Sequence, residues 1–345
     1  MKPERVAWSV GGVGLVASAV GAVLQPDSFA FAWLAALTIW LRWPLGCLAL
    51  LLIHALTGGR WGFAVRPYLV LGIRVLPLLL PAIIPLLLLM PQLYPWARPG
   101  VSAHLVNGFY LNPTFAALRW IFYLVVWFGL AALIAPRLRR NEPLGDLAAP
   151  GLILLGLTVN FAAIDAVLSL DPHFNSSAFG MISAAESGLF ALSVTILAGV
   201  LGGAVSVPER DDLAKLLQTL LILWAYLDFM QLLIVWQSDL PKEAAWYLAR
   251  STGVWAALAG LTAIAHFLLP FVVLLLPRLR RSRRGLIATT SLLVVMAVVR
   301  GWWLVLPAHE SGIGWIDIAA VLAFGGISIG LMLRGPNLRW RMTHA

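Results

Sequence analysis

The sequence predicts an all-α integral membrane protein with about ten transmembrane helices, on three observations. Of its 345 residues, 61% are hydrophobic and 11% charged, and the mean hydropathy is +0.90. A chain this apolar has a bilayer as its solvent. Apolar runs long enough to span fall at 5–25, 29–56, 68–90, 114–135, 150–169, 178–205, 213–236, 251–276, 285–306 and 313–333. Basic residues alternate between connections. With the N-terminus inside, the inside segments carry Lys2, Arg5, Arg60, Arg66, Arg137, Arg139, Arg140, Arg210, Lys215, the arginines of 278–284, Arg334, Arg339 and Arg341. The outside loops carry only Arg98, Lys242 and Arg250. Such asymmetry puts both termini in the cytoplasm. It also explains the net charge of +9 as membrane orientation, so no nucleic-acid partner is expected.

Each run has its own punctuation. The first follows Lys2 and Arg5 as a signal peptide would, but no Ala-x-Ala site precedes Gln25, so a retained helix is expected. "GGRWG" at 58–62 is a connection, not a nucleotide fingerprint, because no strand leads into it. The third run holds Pro77, Pro81 and Pro85 at four-residue spacing, which removes backbone donors along one face and predicts a bent helix. The loop at 91–113 is the longest outside; its Tyr94, Trp96, Phe109 and Tyr110 suit an interfacial belt or a partner's surface. No stretch is long or polar enough for a separate soluble domain, so residues 1–345 form one polytopic domain without a visible internal repeat. The single cysteine, Cys47, excludes a disulfide framework and a thiolate cluster held by this chain alone. His104 and His344 are expected to be solvent-exposed, and His309 beside Glu310 lies in a short outside loop.

The informative residues are charges inside the spans, which are costly and usually face a bundle interior. Counting residues along each helix puts Asp165, Glu186 and Asp228 in the outer half of helices five, six and seven. Arg119 on helix four and Arg300 on helix nine share that layer, and Asp317 sits at the outer mouth of helix ten. Asp171 and His173 follow in the loop "SLDPHFNSS". His54 and Arg74 lie toward the cytoplasmic ends of helices two and three, and Arg42 and His266 nearer the middle. Asp228 shares a helix face with Trp224 and Gln231, Glu186 with Ser183, and His266 with Thr262. Two readings stand beside each other: ion pairs that fix packing, and a proton or substrate path. Four acids against two arginines at one depth favour the path, because an acid without a cationic partner takes up a proton in low dielectric. Haem ligation by His54 and His266 is disfavoured by their different depths.

Several segments together resemble one family. They are "HALTGGRWGFAVR" after helix two, "LYPWARP" and "FYLNPTFAALR" around helices three and four, "SLDPHFNSSAFG" after helix five, and "WAYLDFMQLLIVWQSDLPKEAAWYL" across helix seven. The chain is similar over about 30–280 to the ActF-type membrane subunit of alternative complex III, a quinol:cytochrome c oxidoreductase, within the NrfD/PsrC-like anchors. The pattern has Trp where this chain has Phe174. The resemblance implies ten helices, two central four-helix bundles and no cofactor bound by this chain alone. It also implies a sister NrfD-like subunit, an iron–sulfur subunit and multihaem cytochrome c subunits, with quinone or quinol as a possible ligand, in a bacterial inner membrane.

On this basis Asp165, Asp171, His173, Glu186, Asp228, Gln231, His266 and His54 are candidates for a proton path or quinone site, with Arg74, Arg119 and Arg300 as charge partners. The alternatives are a stand-alone proton-coupled secondary transporter and a purely structural anchor. The topology is directly testable. A reporter fused after Asn175 should read as periplasmic, and cytoplasmic activity at that point would invert every depth assigned above.

Overall fold

A computed structural model describes residues 2–102, 105, 107–238, 241–309 and 312–334; His104, Glu310, Arg339, Arg341 and His344 lie outside the described residues. Among the described residues there is no strand. Ten helices are long and apolar enough to cross a membrane: α1 (Pro3–Leu24), α2 (Pro26–Thr57), α3 (Arg60–Leu88), α4 (Pro113–Arg139), α5 (Gly145–Leu170), α6 (Phe179–Leu201), α7 (Val207–Gln237), α8 (Gly253–Leu275), α9 (Arg283–Ala308) and α10 (Trp315–Leu333). The chain is a multi-pass membrane protein.

The helices run past the apolar runs where polar residues satisfy their ends. α7 starts at Val207 because the Glu209 carboxylate accepts the Ser206 N–H at 2.7 Å, closing its first turn. α3 starts at Arg60, and Arg66 donates to the Leu138 carbonyl at the end of α4 (3.2 Å). α2 stops at Gly58, whose φ of 67° is open to glycine at little cost. The proline-rich part of α3 is interrupted as the spacing predicts. Its first α-helical stretch ends at Ile73, a tight turn covers Leu76–Leu78, and the helix resumes at Leu79–Leu88.

Packing explains the layout. α2 is buried along most of its length and contacts α3, α5, α6, α9 and α10. Divided into α2–α5 and α6–α9, the two bundles that the resemblance implies, the helices meet most extensively where α2 lies against α6, the seam. α1 and α10 pair at the edge, where a Cβ on Gly14 would meet the Ala323 backbone at 2.5 Å. The seam is just as close: a Cβ on Gly46 would lie 2.0 Å from the Ser187 carbonyl oxygen. Small residues let helices approach where lipid supplies no hydrophobic drive.

The 91–113 segment departs from expectation. Tyr94 and Trp96 are buried, not interfacial: Tyr94 donates to the Ala166 carbonyl and Trp96 to the Ser169 carbonyl, each at 3.0 Å. Both clamp the loop onto the end of α5. Of the four aromatic residues, Phe109 is exposed, at 81%, and Tyr110 is half-buried.

Gly46→Val should separate α2 from α6, costing about 1–3 kcal/mol or more through overpacking. Gly129→Val, where nothing lies within 4 Å of the new Cβ, is the control. Monodispersity in detergent reads the result; equal behaviour of the two variants would mean that the seam is not tight.

Candidate functional site

Two charged clusters among the described residues lie inside the membrane-spanning region, one within α4 and α5 and the loop before them, the other across the seam. The first is built on Asp165 of α5. Arg119 of α4 meets it with both edges of its guanidinium, Nε to Oδ2 at 2.8 Å and Nη2 to Oδ1 at 2.9 Å. Tyr110 donates to Oδ1 at 2.9 Å and Tyr123 to Oδ2 at 2.8 Å. The remaining Arg119 nitrogen, Nη1, donates to the Tyr110 carbonyl at 2.7 Å, and the guanidinium lies over the Tyr110 ring at 3.7 Å. Burial, then the Asp165 carboxylate, push the Tyr110 hydroxyl above its ordinary pKa, which keeps it a donor. Every charged edge here is answered, so this cluster is a structural clamp.

The second cluster crosses the seam. Glu186 of α6 accepts from Arg42 of α2 at 2.6 Å through Oε2. Through Oε1 it accepts from Arg300 of α9 (3.3 Å) and from the Trp224 indole of α7 (3.0 Å). Arg300 continues to Asp228 of α7, a close ion pair. The result is an alternating row, Arg42–Glu186–Arg300–Asp228, drawn from four helices and both bundles. Glu186 and the two arginines are nearly dry, whereas the Asp228 side chain keeps 26% of its surface. His266 stacks on Trp224 with ring centroids 4.4 Å apart, and its Nδ1 has no hydrogen-bond partner. It sits in a π-helical stretch of α8, Thr262–Leu268, in which Thr262 and His266 are the buried residues.

Cavities flank this row. One of about 40 Å³ runs between the bundles beside Thr38, Arg42, Ser183, Glu186, Ser187 and Arg300, large enough for water. A smaller one joins Arg42, Glu186, Ser193 and His266. Beyond Asp228 on the same face of α7, Gln231 accepts from Ser176 and donates to the Tyr247 hydroxyl at 3.0 Å. Ser176 lines an open cavity shared with Asp171 and Tyr110, and Asp171 and His173 line another beside Trp246 and Arg250.

Several expectations need correcting. Asp165 does not join Glu186 and Asp228, being held by Arg119 in the other bundle. The excess of acids over arginines narrows to one, because Arg42, placed nearer the middle by residue count, reaches Glu186. Asp317 caps α10 through the Gly314 N–H (2.8 Å) and takes no part in the row. His54 sits in the last turn of α2, 3.0 Å from the Gly59 carbonyl and packed on Trp61 and Phe63, with no cavity or contact shared with His266 among the described residues. Arg74 has no acidic partner among the described residues.

Sequence reasoning missed Arg250, buried in the short loop before α8. Its guanidinium lies 3.6 Å over the Trp246 ring and donates to the carbonyls of Trp246, Trp303 and Leu304. Burial, then repulsion from Arg300, lower its pKa to about 9. The signal was there, since Trp246 precedes Arg250 by four residues.

The chain matches no protein-family model and no curated protein.

Arg119→Gln should strand the Asp165 carboxylate and destabilise the protein by about 3–5 kcal/mol, and Arg119→Gln with Asp165→Asn should recover much of the loss. Thermal unfolding in detergent reads both. A double variant no better than the single one would mean that Arg119 acts through shape alone.

Proposed function

We propose that this chain is an integral membrane subunit of a respiratory quinol:electron-acceptor oxidoreductase complex and that it conducts protons, with quinone binding as a possible second role. The observation that carries the proposal is the row Arg42–Glu186–Arg300–Asp228 continued by Gln231 and Ser176 toward the loop of Asp171 and His173. A fully compensated row suits transport without permanent charge separation. Asp228 is its exchangeable end, being the acid with a single cationic partner and with part of its side chain left uncovered by the protein. Protonating Asp228 frees one edge of Arg300, which Glu186 and the face of Trp303 (4.6 Å) can still stabilise. A proton then passes by water along the face where Ser176 donates to Gln231, and leaves through the cavity bordered by Asp171. Quinol oxidation on a partner subunit would supply protons at that face.

The motifs that resemble the ActF-type subunit of alternative complex III support the word quinol. They also support the proposed setting: the bacterial inner membrane with both termini cytoplasmic, a sister NrfD-like subunit, and haem c and iron–sulfur clusters held by partners. The charge asymmetry of the loops supports the same orientation.

A second reading, a stand-alone proton-coupled transporter, draws on the cavity between the two bundles and the interrupted α3. Activity of the purified chain alone in liposomes would favour it over the first.

Asp228→Asn tests the proposal. The amide keeps the shape and a hydrogen bond to Arg300, so the complex should assemble, while quinol-driven proton release falls about tenfold or more, as for loss of a positioned acid–base group. Unchanged turnover and proton stoichiometry in Asp228→Asn and in Glu186→Gln would leave only a scaffold.

A further inference from the structure

The interruption of α3 leaves a cation unaccounted for. Pro77 has no N–H to offer the Ile73 carbonyl, so the helix tightens, and Arg74 caps its first part. Arg74 is half-buried at the crevice between α3 and α4. It lies eight residues beyond Arg66, about 12 Å further into the membrane-spanning region. The walls are Val70, Ile73, Leu76 and Pro77 on one side and Phe128, Ala131, Ala132 and Ala135 on the other, with Arg139 at the mouth. No acid lines the crevice, and neither arginine has an ion-pair partner among the described residues. An arginine inside a span is costly unless an anion or water meets it. The buried arginines inside spans, Arg42, Arg119 and Arg300, all have carboxylates.

We propose that this crevice binds an anionic phospholipid, its phosphate between Arg74 and Arg139 and an acyl chain along the alanine face of α4. The apolar walls open sideways, beside exposed Leu80 and Leu133, where a chain of lipid lies naturally. Arg139 stands at the arginine-rich end of the helices, the end at which headgroups carrying negative charge attract basic residues, and Arg74 meets the crevice from further in. A lipid supplies both parts at once, which a free anion does not. The crevice shares no lining residue with the cavities beside Glu186, so the proposal does not rest on the proton path.

The test uses the full chain purified in mild detergent. Thermal unfolding is followed with added phosphatidylglycerol, phosphatidylcholine or inorganic phosphate. Phosphatidylglycerol alone should raise the unfolding temperature of the wild type. Its apparent affinity should fall about fivefold for each of Arg74→Gln and Arg139→Gln. Arg278→Gln, an exposed arginine of the same face, should respond as the wild type does. Equal shifts with phosphatidylcholine, or a shift with inorganic phosphate as large as with phosphatidylglycerol, would overturn the proposal. So would an undiminished response in the double variant Arg74→Gln with Arg139→Gln. Should that variant not fold, the comparison of the three additives on the wild type decides alone.

Discussion

Glu186 cannot sit dry at the seam of two helix bundles unless cations meet both of its oxygens. Arg42 and Arg300 do so from α2 and α9, and Trp224 completes the shell from α7. A buried ion pair adds little net stability over an apolar replacement, but removing one partner is expensive. The row therefore specifies which helices meet and at what height, more than how strongly they hold. Gly46, one turn from Arg42, removes the Cβ that would keep α2 and α6 apart. Close backbone approach and charge pairing depend on each other: without the first the arginine does not reach, and without the second the glutamate is stranded.

The two charged clusters solve the same electrostatic problem with different outcomes. Around Asp165 the donors number enough to fill every carboxylate position, two from a guanidinium and two from tyrosines. Nothing there can exchange without breaking several hydrogen bonds. Around Asp228 there is one arginine, residual exposure and a neighbouring chain of neutral donors and acceptors. That contrast, more than the presence of acids, separates a clamp from a candidate path.

The ten spans, their order and the bend in α3 were legible in the sequence because apolar length and proline chemistry are local properties. The depth of Glu186 and Asp228 was legible too, since helical rise converts residue number into height. Arg42 was not assigned to the same cluster, because a long guanidinium reaches several ångströms from the height of its own Cα and counting places only the Cα. Asp165 was misgrouped for a related reason: depth says nothing of which side of a helix faces which bundle. Tyr94 and Trp96 read as interfacial by composition, but their N–H and O–H groups find carbonyls freed where α5 ends. The shared inward face of Thr262 and His266 was legible from their four-residue spacing, but the π-helical form of that stretch was not, since no periodicity in the sequence announces it.

The central claim is that Asp228 exchanges a proton while Asp165 does not. Infrared difference spectroscopy of the assembled complex during quinol oxidation measures this directly, through the carbonyl stretch of a protonated carboxyl group. The account predicts a carboxyl band that changes with turnover, vanishes in Asp228→Asn and persists in Asp165→Asn. A band that survives Asp228→Asn, or a spectrum with no carboxyl change at all, would contradict it.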